Sequence, residues 1–113
     1  MKTRTFFRLQ EKDAIEEFKV RLERGLGRRF VTIKLFGSRA KGKYRKGSDI
    51  DLLIIITERT PWVEDFIIDA RLELLNKYGV YPEIVTYSRK EYEKYKRMQS
   101  PFIINLERDG VPL

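Results

Sequence analysis

The 113-residue chain contains neither cysteine nor histidine. Without cysteine there are no disulfides, zinc thiolate sites or thiol nucleophiles. Without histidine, the Ser-His-Asp class, imidazole acid–base chemistry and imidazole metal sites are excluded as well. Catalysis, if any, runs on carboxylates, Lys, Arg, Ser, Tyr or a bound metal, and hard oxygen ligands point to Mg²⁺ or Mn²⁺ rather than zinc or copper. Long apolar runs are also missing. The longest, Leu52 to Ile56, is far too short to span a bilayer, so no membrane partner is expected. The basic stretch from Met1 to Gln10 has no apolar h-region, and the expected location is cytoplasmic.

The length allows one domain over residues 1–113, with a single core. Lys and Arg number 24 against 17 Asp and Glu, a formal charge of +7 that favours polyanions: nucleotides, RNA or an acidic protein. Charge balance does not choose among them. Charged residues make up 36% of the chain, a composition that hints at a thermophile.

Residues from about Leu9 to Leu26 read as an amphipathic helix, with Ile15, Phe18, Leu22 and Leu26 at three- and four-residue spacing. Gly25 and Gly27 supply its stop. Phe30 to Phe36 reads as a strand with Val31, Ile33 and Leu35 on one face. Gly37 to Ser48 is a glycine-bearing loop, opening with one helical turn and rich in basic residues. Asp49 to Ile56 is the strongest strand, and its continuous apolar run implies a central place in the sheet. Thr60-Pro61 starts a second helix, which Gly79 ends. Glu83 to Tyr87 is a third strand. Ser88-x-x-Glu91 forms a capping box for another helix, with Tyr87 and Tyr92 placed as a hydrophobic staple. Ser100-Pro101 opens a last short helix that Gly110 closes. The pattern is α+β: a short mixed sheet of about three main strands with helices packed on it. The loop joining the first two strands is too short for a regular crossover, so they should be antiparallel.

Asp49-Ile50-Asp51 places two carboxylates on one face of a strand, roughly 7 Å apart at the backbone. Two such anions repel, and a divalent cation between them removes that cost. Antiparallel pairing brings Gly37-Ser38 beside them. Glycine lets the backbone approach a phosphate, and the Ser38 hydroxyl and nearby amides can donate to it. Arg39, Lys41 and Lys43 surround that position with positive charge. The set suits nucleotidyl transfer from a metal–triphosphate.

Phe36-Gly37-Ser38, ten intervening residues, then Asp49-Ile50-Asp51-Leu52 resembles the signature of the polymerase β-like nucleotidyltransferase superfamily, and most of all its minimal members, the MNT proteins. The element order extends the likeness over essentially the whole chain. The resemblance implies that Asp49 and Asp51 hold one or two Mg²⁺ ions and that Gly37 and Ser38 hold the triphosphate of ATP. It further implies that a third carboxylate on a later strand helps activate the attacking hydroxyl. Glu83 is the acidic residue of the third strand, where the family often has Asp, and the resemblance makes it the expected third metal ligand beside Asp49 and Asp51 as well as the base. Arg39 and Lys41 are expected phosphate contacts, with Arg39 offsetting charge on the leaving pyrophosphate. Several minimal members are encoded with HEPN-domain proteins and act as antitoxins by transferring AMP to a tyrosine of the HEPN toxin. The expected partners are therefore ATP and a HEPN-domain protein, with a homo-oligomer also open.

Blander readings stand beside these. Ser38 also reads as a helix N-cap, and Lys41 to Lys46 as a solvated loop. Trp62 and Phe66 read as core rather than a base-stacking platform, and Tyr87, Tyr92 and Tyr95 as packing residues. The rival functions are a non-catalytic nucleotide- and partner-binding antitoxin module and, more weakly, an RNA nucleotidyltransferase.

Overall fold

The computed structural model describes residues 6–42 and 49–113. Lys43, Arg45, Lys46, Gly47 and Ser48 of the basic loop lie outside the described residues. Helix α1 (Leu9–Leu26) leads through a 3-10 turn (Gly27–Arg29) into strand β1 (Phe30–Phe36). Strand β2 (Asp51–Ile56), helix α2 (Pro61–Tyr78), strand β3 (Glu83–Ser88), helices α3 (Arg89–Arg97) and α4 (Pro101–Asp109) and the short strand β4 (Val111–Pro112) follow. The four strands form one sheet in the order β3-β2-β1-β4. β1 is antiparallel to β2 and β4, while β2 and β3 are parallel, so the sheet is mixed with β2 inside it, as expected.

Both faces of the sheet are covered. Ile33, Leu35, Leu52, Ile54 and Ile56 face α1 and α2, meeting Phe18 and Leu22 of α1 and Val63, Ile67 and Leu74 of α2. On the other face Leu53 and Ile55 pack with Tyr92 of α3 and Ile103 and Leu106 of α4. Alternation along β2 therefore fills two cores at once, which is why its sequence is continuously apolar.

The helix ends follow the local chemistry. The Thr60 hydroxyl accepts from the Val63 amide at 3.2 Å, Pro61 occupies the first turn, and Gly79 closes α2 in the left-handed region at φ 69°. Ser88 and Glu91 form the reciprocal capping box of α3, and Tyr87 and Tyr92 pack in the same cluster. Gly25 has a different task from the one expected. It lies inside α1, where a Cβ would run into the Phe66 ring, so it permits close α1–α2 packing while Gly27 ends the helix.

Two further expectations are corrected, and one short strand is added. The β1–β2 register shifts between Phe30 and Thr32, so Val31 packs on the α3–α4 face while Ile33 and Leu35 face α1 and α2. A bulge inserts one residue and flips the alternation before it. Trp62 is 53% exposed, lying over Phe66 with Arg29 on its ring, rather than in the core. The residues after Gly110 also add the edge strand β4.

Candidate active site

The β1–β2 register pairs Phe36 with Asp51, so the chain leaving β1 at Gly37 passes directly beside the Asp51 carboxylate. Gly37 has φ 80°, and a Cβ there would collide with Asp51 Oδ2. Glycine is thus required twice, for the backbone conformation and for the room the carboxylate occupies. Beyond it, the Lys41 amide donates to the Ser38 carbonyl at 3.2 Å and the Gly42 amide to the Arg39 carbonyl at 3.1 Å. This is the single helical turn expected at the loop's start. Ser38 is exposed on it.

Asp51 is half-buried at the mouth of β2, and Asp49 just before it is exposed. Burial pushes the Asp51 carboxyl above its ordinary value, and the charges of Asp49 and Glu83 push it the same way, with Arg39 opposing. Glu83 enters because the parallel β2–β3 ladder makes it the Cα partner of Asp51, and directly paired residues share a face. Its carboxylate is largely exposed and lies 3.5 Å from Arg71 Nη2. Arg71 also donates through Nε to the Pro82 carbonyl at 2.6 Å and stacks on Tyr81 at 3.8 Å, fixing the entry to β3.

Among the described residues no three carboxylates are gathered closely enough to hold a metal between them. The donor set nonetheless suits Mg²⁺, which keeps several waters and is commonly bound by one or two carboxylates plus substrate phosphates. An under-compensated carboxylate seated against a glycine is the local feature that fits such an ion.

Arg39 departs from its expected place at the phosphates. Its side chain is 1% exposed. Nη1 and Nη2 bind the two Glu11 oxygens at 2.7 and 3.0 Å, and Nη1 also donates to the Phe6 carbonyl at 3.1 Å. A guanidinium matches a carboxylate bidentately, so the turn after β1 is bolted to the first turn of α1. Burial alone would raise the Glu11 carboxyl; the hydrogen bonds from Arg39 and the Arg8 amide, with both arginine charges, hold it below its ordinary value. The pairing of Glu11 with Arg39 spans 28 residues, and no local spacing in the sequence announces it.

Lys41 remains on the surface, 3.9 Å from Asp109. A cavity of about 200 Å³ opens between these two residues, bounded by Phe36, Gly37, Phe102 and Asn105. The structure therefore brings Gly37, Asp49, Asp51 and Glu83 to one end of the sheet with Ser38 and Lys41 beside them, and sends Arg39 beneath.

The family model for the nucleotidyltransferase domain matches residues 15–105. Over 86 residues the chain is 37% identical to the provisionally named protein adenylyltransferase MJ0604 of Methanocaldococcus jannaschii, covering 76% of this chain and 82% of that one. A provisionally named nucleotidyltransferase from Sulfolobus solfataricus has a similar solved structure, with TM-score 0.53 and 17% identity over 96% of this chain and 81% of its own. A mutant of the toxin–antitoxin MntA-HpeT also matches at TM-score 0.53 and 19% identity, over 87% of this chain and 70% of that one. At these identities the two structures speak to the fold.

Proposed function

The chain belongs to the nucleotidyltransferase domain family, and we propose that it transfers AMP from Mg-ATP to a tyrosine hydroxyl of a HEPN-domain toxin, acting as its antitoxin. The observation that carries the site assignment is the Asp51 carboxylate occupying the space a Gly37 side chain would fill, with Asp49 and Glu83 close enough to raise it. The names of the adenylyltransferase relative and of the toxin–antitoxin structure support the choice of acceptor class.

Asp49 and Asp51 would hold Mg²⁺, which when bound neutralises triphosphate charge and polarises the α-phosphorus centre. Gly37 and the amides of its turn receive the β- and γ-phosphates, with the Ser38 hydroxyl donating and Lys41 supplying charge. The acceptor oxygen forms a bond to the α-phosphorus while the α–β bridging bond breaks. Glu83 takes the hydroxyl proton, and pyrophosphate leaves. Arg39 acts from below: paired with Glu11, it fixes the turn and favours the ionised form of Asp51.

A second reading is a module that binds ATP and its partner without turnover. The ion pair of Glu83 with Arg71 favours it, because that contact competes with a role as base. Labelled ATP, Mg²⁺ and the product of a neighbouring HEPN-like gene separate the two. Label should appear on the toxin, and Asp49→Asn or Asp51→Asn should lower the rate by about 10³-fold or more. Wild-type transfer by either variant contradicts the metal assignment. A tight unlabelled complex supports the module.

A further inference from the structure

Strand β3 is an edge of the sheet, and its hydrogen bonds reveal which backbone groups face outward. The Glu83 amide donates to the Ile50 carbonyl at 2.8 Å across the parallel ladder. Alternation then turns the amides and carbonyls of Glu83, Val85 and Tyr87 toward β2, and those of Ile84, Thr86 and Ser88, with the Pro82 carbonyl, away from it. Side chains already cap both ends of this outer row. Arg71 Nε donates to the Pro82 carbonyl at 2.6 Å, and the Ser88 amide donates to Glu91 Oε1 at 2.8 Å. Among the described residues nothing hydrogen-bonds the N–H and C=O of Ile84 and of Thr86, which form an open window between the caps. Ile84, Val85 and Thr86 are uncharged β-formers, without the lysine or proline that usually guards an edge.

The window lies beside an apolar strip. A groove of about 130 Å³ separates Ile84 and Thr86 from Ile67 and Ile68 of α2, with Glu64 and Arg71 also lining it. On the outer side of α2, Ile68 is 52% exposed, and Leu72 and Leu75 are each 43% exposed.

We propose that this edge is a homodimer interface, in which two copies pair β3 antiparallel about Val85 and join their sheets. That register places Ile84 opposite Thr86 of the partner subunit, and Thr86 opposite the partner's Ile84. Both are hydrogen-bonded pairs, so the open groups of the two copies satisfy one another in four bonds. A second copy fits better than an unrelated strand because the ends are complementary in charge. Pro82 lies opposite the partner's Ser88, which brings the cation on Pro82, Arg71, to the anion that caps Ser88, the partner's Glu91. Each adds to the pair it already makes within its own copy, Arg71 with Glu83 at 3.5 Å and Glu91 with Arg59 at 3.4 Å. The twofold axis repeats this at the other end. The same closure brings the Ile68 strips of the two α2 helices toward each other, removing apolar surface from water.

Sedimentation equilibrium of the full chain tests the interface, together with amide hydrogen exchange at low and high concentration. The wild type should dimerise, and the Ile84 and Thr86 amides should become protected only as the dimer forms. Val85 and Tyr87 should be protected throughout. Thr86→Pro removes an outward amide that β2 does not use, and should weaken dimerisation by at least about tenfold while keeping the native circular dichroism. If that variant fails to fold, Ile68→Lys decides, since it sets like charges near the axis. A wild type that stays monomeric at about millimolar concentration overturns the proposal, whether or not another protein takes the edge. So does a dimer that the folded variants leave unchanged.

Discussion

Strand β2 joins two regions that follow opposite rules. From Leu52 to Ile56 no residue is more than 6% exposed, and every side chain enters one of the two cores. One residue earlier, Asp51 keeps a carboxylate half-buried beside Asp49 and Glu83, at a point where burial and like charge both disfavour ionisation. The apolar stretch maximises contact, each fully buried Leu or Ile adding about 1.5–3 kcal/mol. The mouth gives up some of that gain to keep oxygen donors at the surface. The cation and polyphosphate of the proposed reaction would offset that repulsion with their charge.

The largest test of this contrast lies beneath the mouth. Arg39 is buried and bidentate, so Arg39→Ala leaves the Glu11 carboxylate and the Phe6 carbonyl short of a donor. Breaking a pair of this kind should cost about 3 kcal/mol in urea unfolding. Arg39→Lys should recover only part, because an ammonium cannot span both carboxylate oxygens. If Arg39→Ala unfolds like wild type while transfer collapses, Arg39 belongs with the phosphates after all.

Gly37→Ala attacks the mouth itself. The new methyl must displace the Asp51 carboxylate, and a residue other than glycine at φ 80° adds backbone strain. We expect a loss of about 2 kcal/mol in thermal unfolding, with transfer falling more steeply than stability. Equal loss of both would make Gly37 a folding residue alone.

Most of the fold was legible because its signals are local. The bounds of α1, the Thr60-Pro61 and Ser88–Glu91 caps and the antiparallel β1–β2 pair all follow from spacing and capping chemistry. The placement of Gly37 beside Asp51 followed from that pairing. What escaped depends on distant partners or on pairing that side-chain pattern does not encode. Arg39 reads as one more basic loop residue until Glu11 is placed beneath it. Val31 keeps perfect alternation in sequence, and only the shifted register turns it over. β4 is two residues long and offers no period at all.

Strain outside the mouth should behave differently from strain within it. Gln99 adopts φ 54° just after α3, where its amide bonds the Lys96 carbonyl and the Ser100 amide bonds the Tyr95 carbonyl, both at 3.0 Å. That geometry favours glycine. Gln99→Gly should stabilise the chain by about 0.5–1 kcal/mol and leave transfer unchanged. A parallel change in transfer would show that this turn communicates with the site.

The smallest effect carries the sharpest sign. Asp51 has its native pKa raised, chiefly by burial and then by Asp49 and Glu83, so the native state holds that proton more tightly than the unfolded chain does. The resulting penalty is absent below the ordinary Asp range and grows as pH rises through the native value. Asp51→Asn should therefore be more stable than wild type in chelator at about pH 7, and lose that advantage by about pH 3. Solvent screening keeps the gain to roughly 0.5 kcal/mol or less. Adding Mg²⁺ and ATP should stabilise the wild type more than the variant, reversing the order. Urea unfolding under the three conditions reads all of this. A variant less stable than wild type in chelator at neutral pH would mean that Asp51 supports the fold, and that the two regions of β2 are not opposed.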